Sequence, residues 1–169
     1  MYVWSSVAHM ALPLGEAGIS QMSNEKPLLD SMQSTLGAKA GLYLFPAMAP
    51  GEDMQKYQQR LAASPSGLLV YRGPGAAALT PAKLAIEFFT EMAEALLLAW
   101  LISRTMLKTF AAKVTFAAVV GLVAACATNI PYWNWYDFPG SYTAAYMLTQ
   151  FVGFVLAGMA AAKMLREPL

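Results

Sequence analysis

Hydrophobic and polar residues are distributed differently in the two halves of the chain. In the second half, residues 81–103, 110–130 and 142–164 form three apolar stretches, each long enough to cross a bilayer, which takes about 20 residues. Thr80-Pro81 predicts a helix start, because threonine caps helices and proline fits the first turn. We therefore expect residues 80–169 to form a bundle of three transmembrane helices.

The first stretch of the chain is apolar but short. Met1 to Leu12 lacks the length needed to span a membrane, and Pro13 and Gly15 interrupt it. A basic leader region and a clear cleavage site, which mark a secretory signal, are both missing from it. We expect residues 1–14 to form a partial or interfacial membrane helix.

Residues 15–79 read as a small extramembrane α+β domain with balanced charge. The periodicity of apolar residues and the turn residues predict two helices, at 27–36 and 52–63, and two strands, at 42–45 and 67–71. The two strands could pair across the second of these helices. The stability of a domain of about 60 residues is marginal on its own. We therefore expect this domain to be stabilised by packing against the membrane bundle or a partner. The predicted fold class is thus mainly α, integral membrane, with three transmembrane helices and this appended domain.

Composition supports lipid as the solvent of the bundle and excludes several functions. The chain is 57% hydrophobic and 12% charged, whereas soluble domains are about 25% charged. Its net charge of +1, without a basic patch, argues against nucleic-acid binding. Cys126 is the single cysteine, which rules out an intrachain disulfide and a cysteine-based metal site. Catalytic motifs are missing as well, so we do not expect an enzyme.

Basic residues predict the orientation of the bundle. They cluster after the first span and at the C-terminus, at Arg104, Lys108, Lys113, Lys163 and Arg166, while residues 131–141 contain no lysine or arginine. By the positive-inside rule, residues 104–109 and the C-terminus are cytoplasmic. Residues 15–79 and 131–141 would then be periplasmic, in a bacterial inner membrane.

Three glutamates share one face of the first predicted span. Glu87, Glu91 and Glu94 follow the spacing i, i+4, i+7, and charges at membrane depth usually face a bundle interior, a cavity or a partner. They predict a proton or cation path, or with His9 a metal site formed by His9, Glu87 and Glu91. The alternative is that protonated or hydrogen-bonded glutamates hold helices or subunits together. Gln150 is a further candidate for an interhelical hydrogen bond.

His9 and an aromatic segment are the other candidate binding residues. His9 is the single histidine and could ligate a metal or a pigment, or simply donate a hydrogen bond. The aromatic segment consists of Tyr132, Trp133, Trp135, Tyr136 and Phe138. Such residues anchor proteins at the membrane surface or form docking interfaces. We predict no specific cofactor; lipid contacts are expected, and a pigment or quinone contact stays open.

Small residues recur every four positions along the last two spans. Ala117, Gly121 and Ala125 form one such row, and Gly153, Ala157 and Ala161 form another. This spacing allows helix backbones to approach closely in lipid. We predict that both rows are packing faces of the bundle.

Three functions fit these observations. The first is an accessory subunit of a larger bacterial membrane complex of respiratory or photosynthetic type, with other membrane subunits as partners. The second is a small oligomeric transporter or proton/cation path that uses the glutamates. The third is a pigment-, quinone- or metal-binding membrane protein that uses His9.

Overall fold

A computed structural model describes residues 1–165 as a mainly helical protein with one two-stranded sheet. In chain order its elements are α1 (Tyr2–Met10), α2 (Lys26–Leu36), β1 (Gly41–Phe45), α3 (Met54–Ala62), β2 (Gly67–Tyr71), α4 (Pro81–Ser103), α5 (Phe110–Tyr136) and α6 (Gly140–Met164). The chain divides into two compact units. We call residues 20–78 the small unit, and residues 1–19 with the chain from Leu79 onward the helical unit.

Threonine side chains cap the first two long helices. The Thr80 hydroxyl accepts a hydrogen bond from the Lys83 N–H at 3.2 Å, and the Thr109 hydroxyl accepts one from Ala112 N–H at 3.1 Å. Each bond satisfies a backbone donor that the first helical turn would leave unpaired. The predicted start of α4 at Pro81 is confirmed.

The predicted end of the second span before Pro131 is wrong. α5 continues through Pro131 to Tyr136 and ends where Asp137 adopts a left-handed conformation with φ 54°. A proline inside a helix removes one backbone donor and clashes with the preceding turn, which costs about 3 kcal/mol. α5 nevertheless stays helical through Pro131, which lies near its C-terminal end. Residues 137–139 alone join α5 to α6, so most of the predicted loop at 131–141 is helical.

α5 and α6 are packed closely through small side chains. Ala117, Gly121 and Ala125 are all buried on α5. A Cβ atom added to Gly121 would lie 2.5 Å from the Cβ of Phe154, so a larger residue cannot fit without moving the helices. Gly158 meets Ala117 in the same way. The two backbones can therefore approach only because glycine and alanine line the contact.

The predicted row of small residues on α6 contacts more than one neighbouring part of the helical unit. Gly153, Ala157 and Ala161 are all buried. Gly153 faces Met1 and Trp4 of α1. The other two belong to a core at one end of the helical unit, formed by Leu98, Ile102, Ala117, Phe154, Ala157 and Ala161.

That core lies at the end of the bundle that carries basic residues. The Lys113 ammonium donates a hydrogen bond to the carbonyl oxygen of Leu165 at 2.8 Å, which holds the start of α5 beside the end of α6. We call this end, with the turn at 104–109, the basic end. Arg166, also predicted to belong to it, lies outside the described residues.

α1 is a short helix beside α6. Its nine residues extend about 14 Å at 1.5 Å per residue, and the Trp4 indole N–H donates to the carbonyl oxygen of Thr149 at 2.8 Å. Met1 lies near Gly153 and His9 near Tyr146, so α1 runs from the middle of α6 toward its beginning.

Two helices within residues 1–165 are long and apolar enough to cross a membrane. They are α5 and α6, with mean hydropathies of 2.0 and 1.6 over their most apolar windows. α4 has 23 residues but also carries Lys83 and three glutamates.

In the small unit, β1 and β2 are antiparallel, with Gly41 opposite Tyr71 and Phe45 opposite Gly67. Tyr71 is the one buried residue in this unit, and its hydroxyl donates to the carbonyl oxygen of Gly37 at 2.7 Å. The predicted strands at 42–45 and 67–71 are confirmed within one residue.

Hydrogen bonds link the turns of the small unit. The Arg60 guanidinium donates to both carboxylate oxygens of Glu52, at 3.1 and 2.6 Å, and to the carbonyl oxygen of Ala47 at 2.8 Å. The Arg60 hydrogen bond, with one from the Ala49 N–H, lowers the pKa of the Glu52 carboxyl from its ordinary value. Polar contacts thus take much of the place of an apolar core in this unit.

Candidate functional site

The helical unit contains a cavity of about 860 Å³ between α1, α4, α5 and α6. This volume is within the range of about 300–1,000 Å³ typical of small-molecule sites. Its lining combines apolar and aromatic side chains with carboxyl, hydroxyl and amide groups. Residues from four helices converge on it, so the tertiary packing creates the site.

The three glutamates predicted from α4 all line this cavity. They differ in burial: Glu87 is exposed, Glu94 is half-buried, and Glu91 is 9% exposed. Among residues 1–165, Oε2 of Glu91 is the one buried side-chain oxygen or nitrogen without a hydrogen-bond partner. The structure therefore distinguishes Glu91 from its two neighbours.

An unpaired carboxylate in this position is unfavourable. Moving an isolated charge out of water costs several kcal/mol unless a counter-charge or hydrogen bonds compensate. No lysine or arginine belongs to the described lining of the cavity. Oε2 of Glu91 thus borders a space in which a cation could pair with it.

His9 lies in the same cavity but does not complete a metal site. Its Nδ1 atom is 2.9 Å from the carbonyl oxygen of Ser5, and its ring contacts Tyr146 edge to face at 5.6 Å. Within the described part of the chain, no three His, Cys, Asp or Glu side chains are grouped to hold a metal ion. The structure thus brings His9 to the cavity that holds Glu87 and Glu91 without forming a ligand set from them.

Gln150 joins α5 to α6 at the cavity wall. Its Oε1 accepts hydrogen bonds from the Thr128 hydroxyl at 3.0 Å and from the Asn129 amide at 3.3 Å. Asn129 also donates to the carbonyl oxygen of Ala125 at 3.0 Å. These hydrogen bonds hold the side chains of Thr128, Asn129 and Gln150 together at the cavity wall.

The predicted aromatic segment is divided by the fold. Tyr132 and Phe138 line the cavity. Trp133, Trp135 and Tyr136 are exposed and lie outside the described lining. They sit on the last turns of α5 and not in a loop, because α5 continues past Pro131.

Sequence reasoning missed several lining residues on α1 and α6. Trp4, Tyr142 and Tyr146 all line the cavity. A signal was present in the sequence: from Tyr142, the residues at i+4, i+7, i+8 and i+11 share one helical face, and they are Tyr146, Thr149, Gln150 and Gly153. This polar and aromatic stripe was hidden within an apolar stretch.

The chain matches no protein-family model, no curated protein and no solved structure.

Proposed function

We propose that α4 is a third membrane span and that the helical unit is an integral membrane bundle. At 1.5 Å per residue its 23 residues extend about 34 Å, which matches a hydrocarbon core of about 30 Å. Its three glutamates line the cavity, and most of its large exposed side chains are apolar, among them Ile86, Leu96, Leu97 and Trp100. This division is what a helix between lipid and a polar cavity requires.

The orientation follows from the basic end. Arg104, Lys108 and Lys113 are at or next to the α4–α5 turn, and the positive-inside rule assigns such a turn to the cytoplasm. In a bacterial inner membrane, the α5–α6 turn at 137–139 and residues 20–78 would then be periplasmic. The cavity would occupy the outer half of the bundle, since α1, Glu87 and Phe138 line it.

We propose that this cavity binds a cation and that Glu91 is its counter-charge. The observation that carries the proposal is the buried Glu91 carboxyl, whose Oε2 lacks a partner and which borders a space of about 860 Å³. Glu87 and Glu94 add negative charge along the same face.

The apolar core closes the cavity at the basic end of the bundle. Leu98 and Ile102 are each 1% exposed and pack against Ala117, Phe154 and two alanines of α6 at the basic end. A cation entering from the outer side therefore meets a closed end. The proposed function is a membrane cation-binding protein of the transporter type, and passage across the membrane needs either a rearrangement of this core or a second copy of the chain.

Uptake of isotopically labelled cations into proteoliposomes tests this function. Inward gradients of Na⁺, K⁺ and benzyltrimethylammonium are applied in turn, and the uptake signal of the labelled cation is recorded. Wild-type protein should increase the uptake of at least one of the cations. Glu91→Gln should reduce the signal to that of protein-free liposomes, because the proposed counter-charge is gone.

Two controls make this experiment decisive. Glu25→Gln removes an exposed carboxylate of the small unit and should leave the signal unchanged. Glu87→Gln, on the exposed part of the stripe, should reduce it only partly. If wild-type protein behaves like protein-free liposomes with every cation, the proposed function is wrong.

A specific observation favours a second function, that of an accessory subunit in a larger membrane complex. On the sheet of the small unit, Leu42 pairs with Val70, and these side chains are 66% and 72% exposed. Leu44 is exposed on the same face of β1. Lipid would not cover this apolar face if the small unit is periplasmic, which favours a protein partner.

Purification in a gentle detergent tests the second function. An accessory subunit should copurify with other membrane proteins in fixed stoichiometry, and Val70→Lys should release them without loss of the folded chain. Thr35→Lys, at an exposed position of α2, is a control that should retain the complex. A lone monodisperse chain or homo-oligomer would exclude this function.

A further inference from the structure

The wall of the cavity carries a continuous run of aromatic rings. Tyr132 stacks on Phe138 with ring centroids 5.3 Å apart, and Phe138 contacts Tyr142 edge to face at 5.4 Å. Tyr142 stacks on Tyr146 at 4.3 Å, and Tyr146 contacts His9 at 5.6 Å. All five rings line the cavity, and we call them the ring wall.

The ring wall and the glutamates come from different helices. The glutamates project from α4, whereas the rings belong to the end of α5, the α5–α6 turn, α6 and α1. A group inside the cavity can therefore contact carboxyl oxygens and aromatic faces together. Aromatic faces carry partial negative charge and attract cations, most strongly when water is excluded.

The lining is poorly suited to a small metal ion. Hard cations such as Mg²⁺ and Ca²⁺ need about six or more oxygen ligands, and no three acidic or histidine side chains are grouped for such a role among residues 1–165. Most of the lining surface is apolar, and the space far exceeds the volume of a bare ion. These properties instead match a cation that carries its own hydrocarbon groups.

We propose that the occupant is an organic ammonium with alkyl or aryl substituents, held by Glu91 and enclosed by the ring wall. This inference rests on the proposed function and names its ligand class. The ammonium group would lie near Glu91, because that carboxyl is the most deeply buried of the three and its Oε2 is unpaired. The substituents would lie against Tyr142, Tyr146 and Trp4.

Equilibrium dialysis of the full chain in detergent tests the inference. Benzyltrimethylammonium is the probe, and neopentylbenzene, which has the same shape without charge, is the control ligand. The cation should bind and the neutral analogue should not. Glu91→Gln should weaken binding of the cation at least about thirtyfold, since it removes a buried counter-charge.

Variants of the ring wall separate an aromatic enclosure from a simple charge pair. Tyr146→Leu should weaken binding of the cation about three- to tenfold, because one cation–π surface is lost. Trp135→Leu, at an aromatic position that is 75% exposed and outside the cavity lining, should have no effect. Equal affinity of Tyr146→Leu and wild-type protein would overturn the role of the ring wall.

A measurement on the wild-type chain avoids dependence on a variant that fails to fold. A hydrophobic carbodiimide modifies protonated carboxyl groups in apolar sites, and mass spectrometry of peptides reports modification at Glu91. Benzyltrimethylammonium should protect Glu91, while neopentylbenzene should not. Equal protection by both ligands would overturn the inference.

The outcomes distinguish this inference from the function on which it rests. Uptake of Na⁺ or K⁺, together with no dialysis signal for benzyltrimethylammonium, would reject the organic ligand and keep the cation site. Tight binding of neopentylbenzene would show that the cavity selects apolar shape and not charge. Lack of uptake of every cation, together with no dialysis signal for benzyltrimethylammonium, in samples whose protein is folded, would reject both.

Discussion

The helical unit and the small unit are stabilised in different ways. The helical unit buries rows of glycine and alanine where α5 meets α6, and its large apolar side chains are mostly exposed. The small unit buries one residue, Tyr71, and its turns are joined by hydrogen bonds that Arg60, Tyr57 and Tyr71 donate to backbone carbonyl oxygens. Small residues suit packing in lipid, where burial of large apolar groups adds little. The two helices that are long and apolar enough to cross a membrane, α5 and α6, both belong to the helical unit.

The largest expected effect comes from breaking the close contact of α5 and α6. In Gly158→Val the added side chain would overlap Ala117, so the helices must separate. We expect a loss of stability of about 3 kcal/mol or failure to fold, measured by thermal unfolding of the detergent-solubilised chain. Gly140→Ala, on the same helix but with open space around its Cβ position, should unfold like wild type. Similar melting of the two variants would mean that α5 and α6 are not in close contact.

A smaller effect is expected at the buried residue of the small unit. Tyr71→Phe keeps the ring but removes the hydroxyl that donates to Gly37. The loss should be about 1 kcal/mol, seen as faster amide hydrogen exchange in residues 37–45 and 67–71. Tyr43→Phe removes an exposed hydroxyl bonded to the carbonyl oxygen of Lys39 and should have less effect. Unchanged exchange in Tyr71→Phe would show that the hydrogen bond does not stabilise the unit.

The smallest effect concerns the pair of Glu52 and Arg60. Because the folded pKa of Glu52 lies below its ordinary value of 4.5, ionised Glu52 favours the folded unit, and this contribution is complete well above pH 4.5. It is lost as pH falls below that value and Glu52 becomes protonated. For wild type, the protection of residues 47–60 against hydrogen exchange, corrected for the slower intrinsic exchange in acid, should therefore decrease locally.

The matched variant for this pH effect is Glu52→Gln. It should show faster exchange at neutral pH and a weaker response to acid, while exchange in α5 and α6 stays unchanged. An equal acid response in wild type and Glu52→Gln would assign the effect to another group. In that case the ion pair of Glu52 and Arg60 would not contribute to the stability of the small unit.

Many elements of the fold followed from local sequence. Thr80 and Pro81 predicted where α4 begins, because capping and the proline φ angle depend on adjacent residues. The strands β1 and β2 followed from short apolar runs bounded by glycine and proline. The end of α5 was not predicted, because α5 continues through Pro131 despite the energetic cost of a proline inside a helix.

Candidate site residues were predicted with uneven success. The spacing of Glu87, Glu91 and Glu94 placed them on one face, and all three line the cavity. The aromatic segment was divided between the cavity and the exposed surface, which depended on how far α5 extends. Tyr142 and Tyr146 were missed because their stripe lies within an apolar stretch.

Local sequence set where most helices and strands begin, how apolar α5 and α6 are, and which face of α4 carries acid, since each depends on neighbouring residues. Packing among four helices decided that Glu91 is buried while Glu87 is exposed, and that the rings of α5, α6 and α1 share one cavity with them. Burial and cavity shape depend on residues far apart in the chain, and a helical period records only which residues share a face.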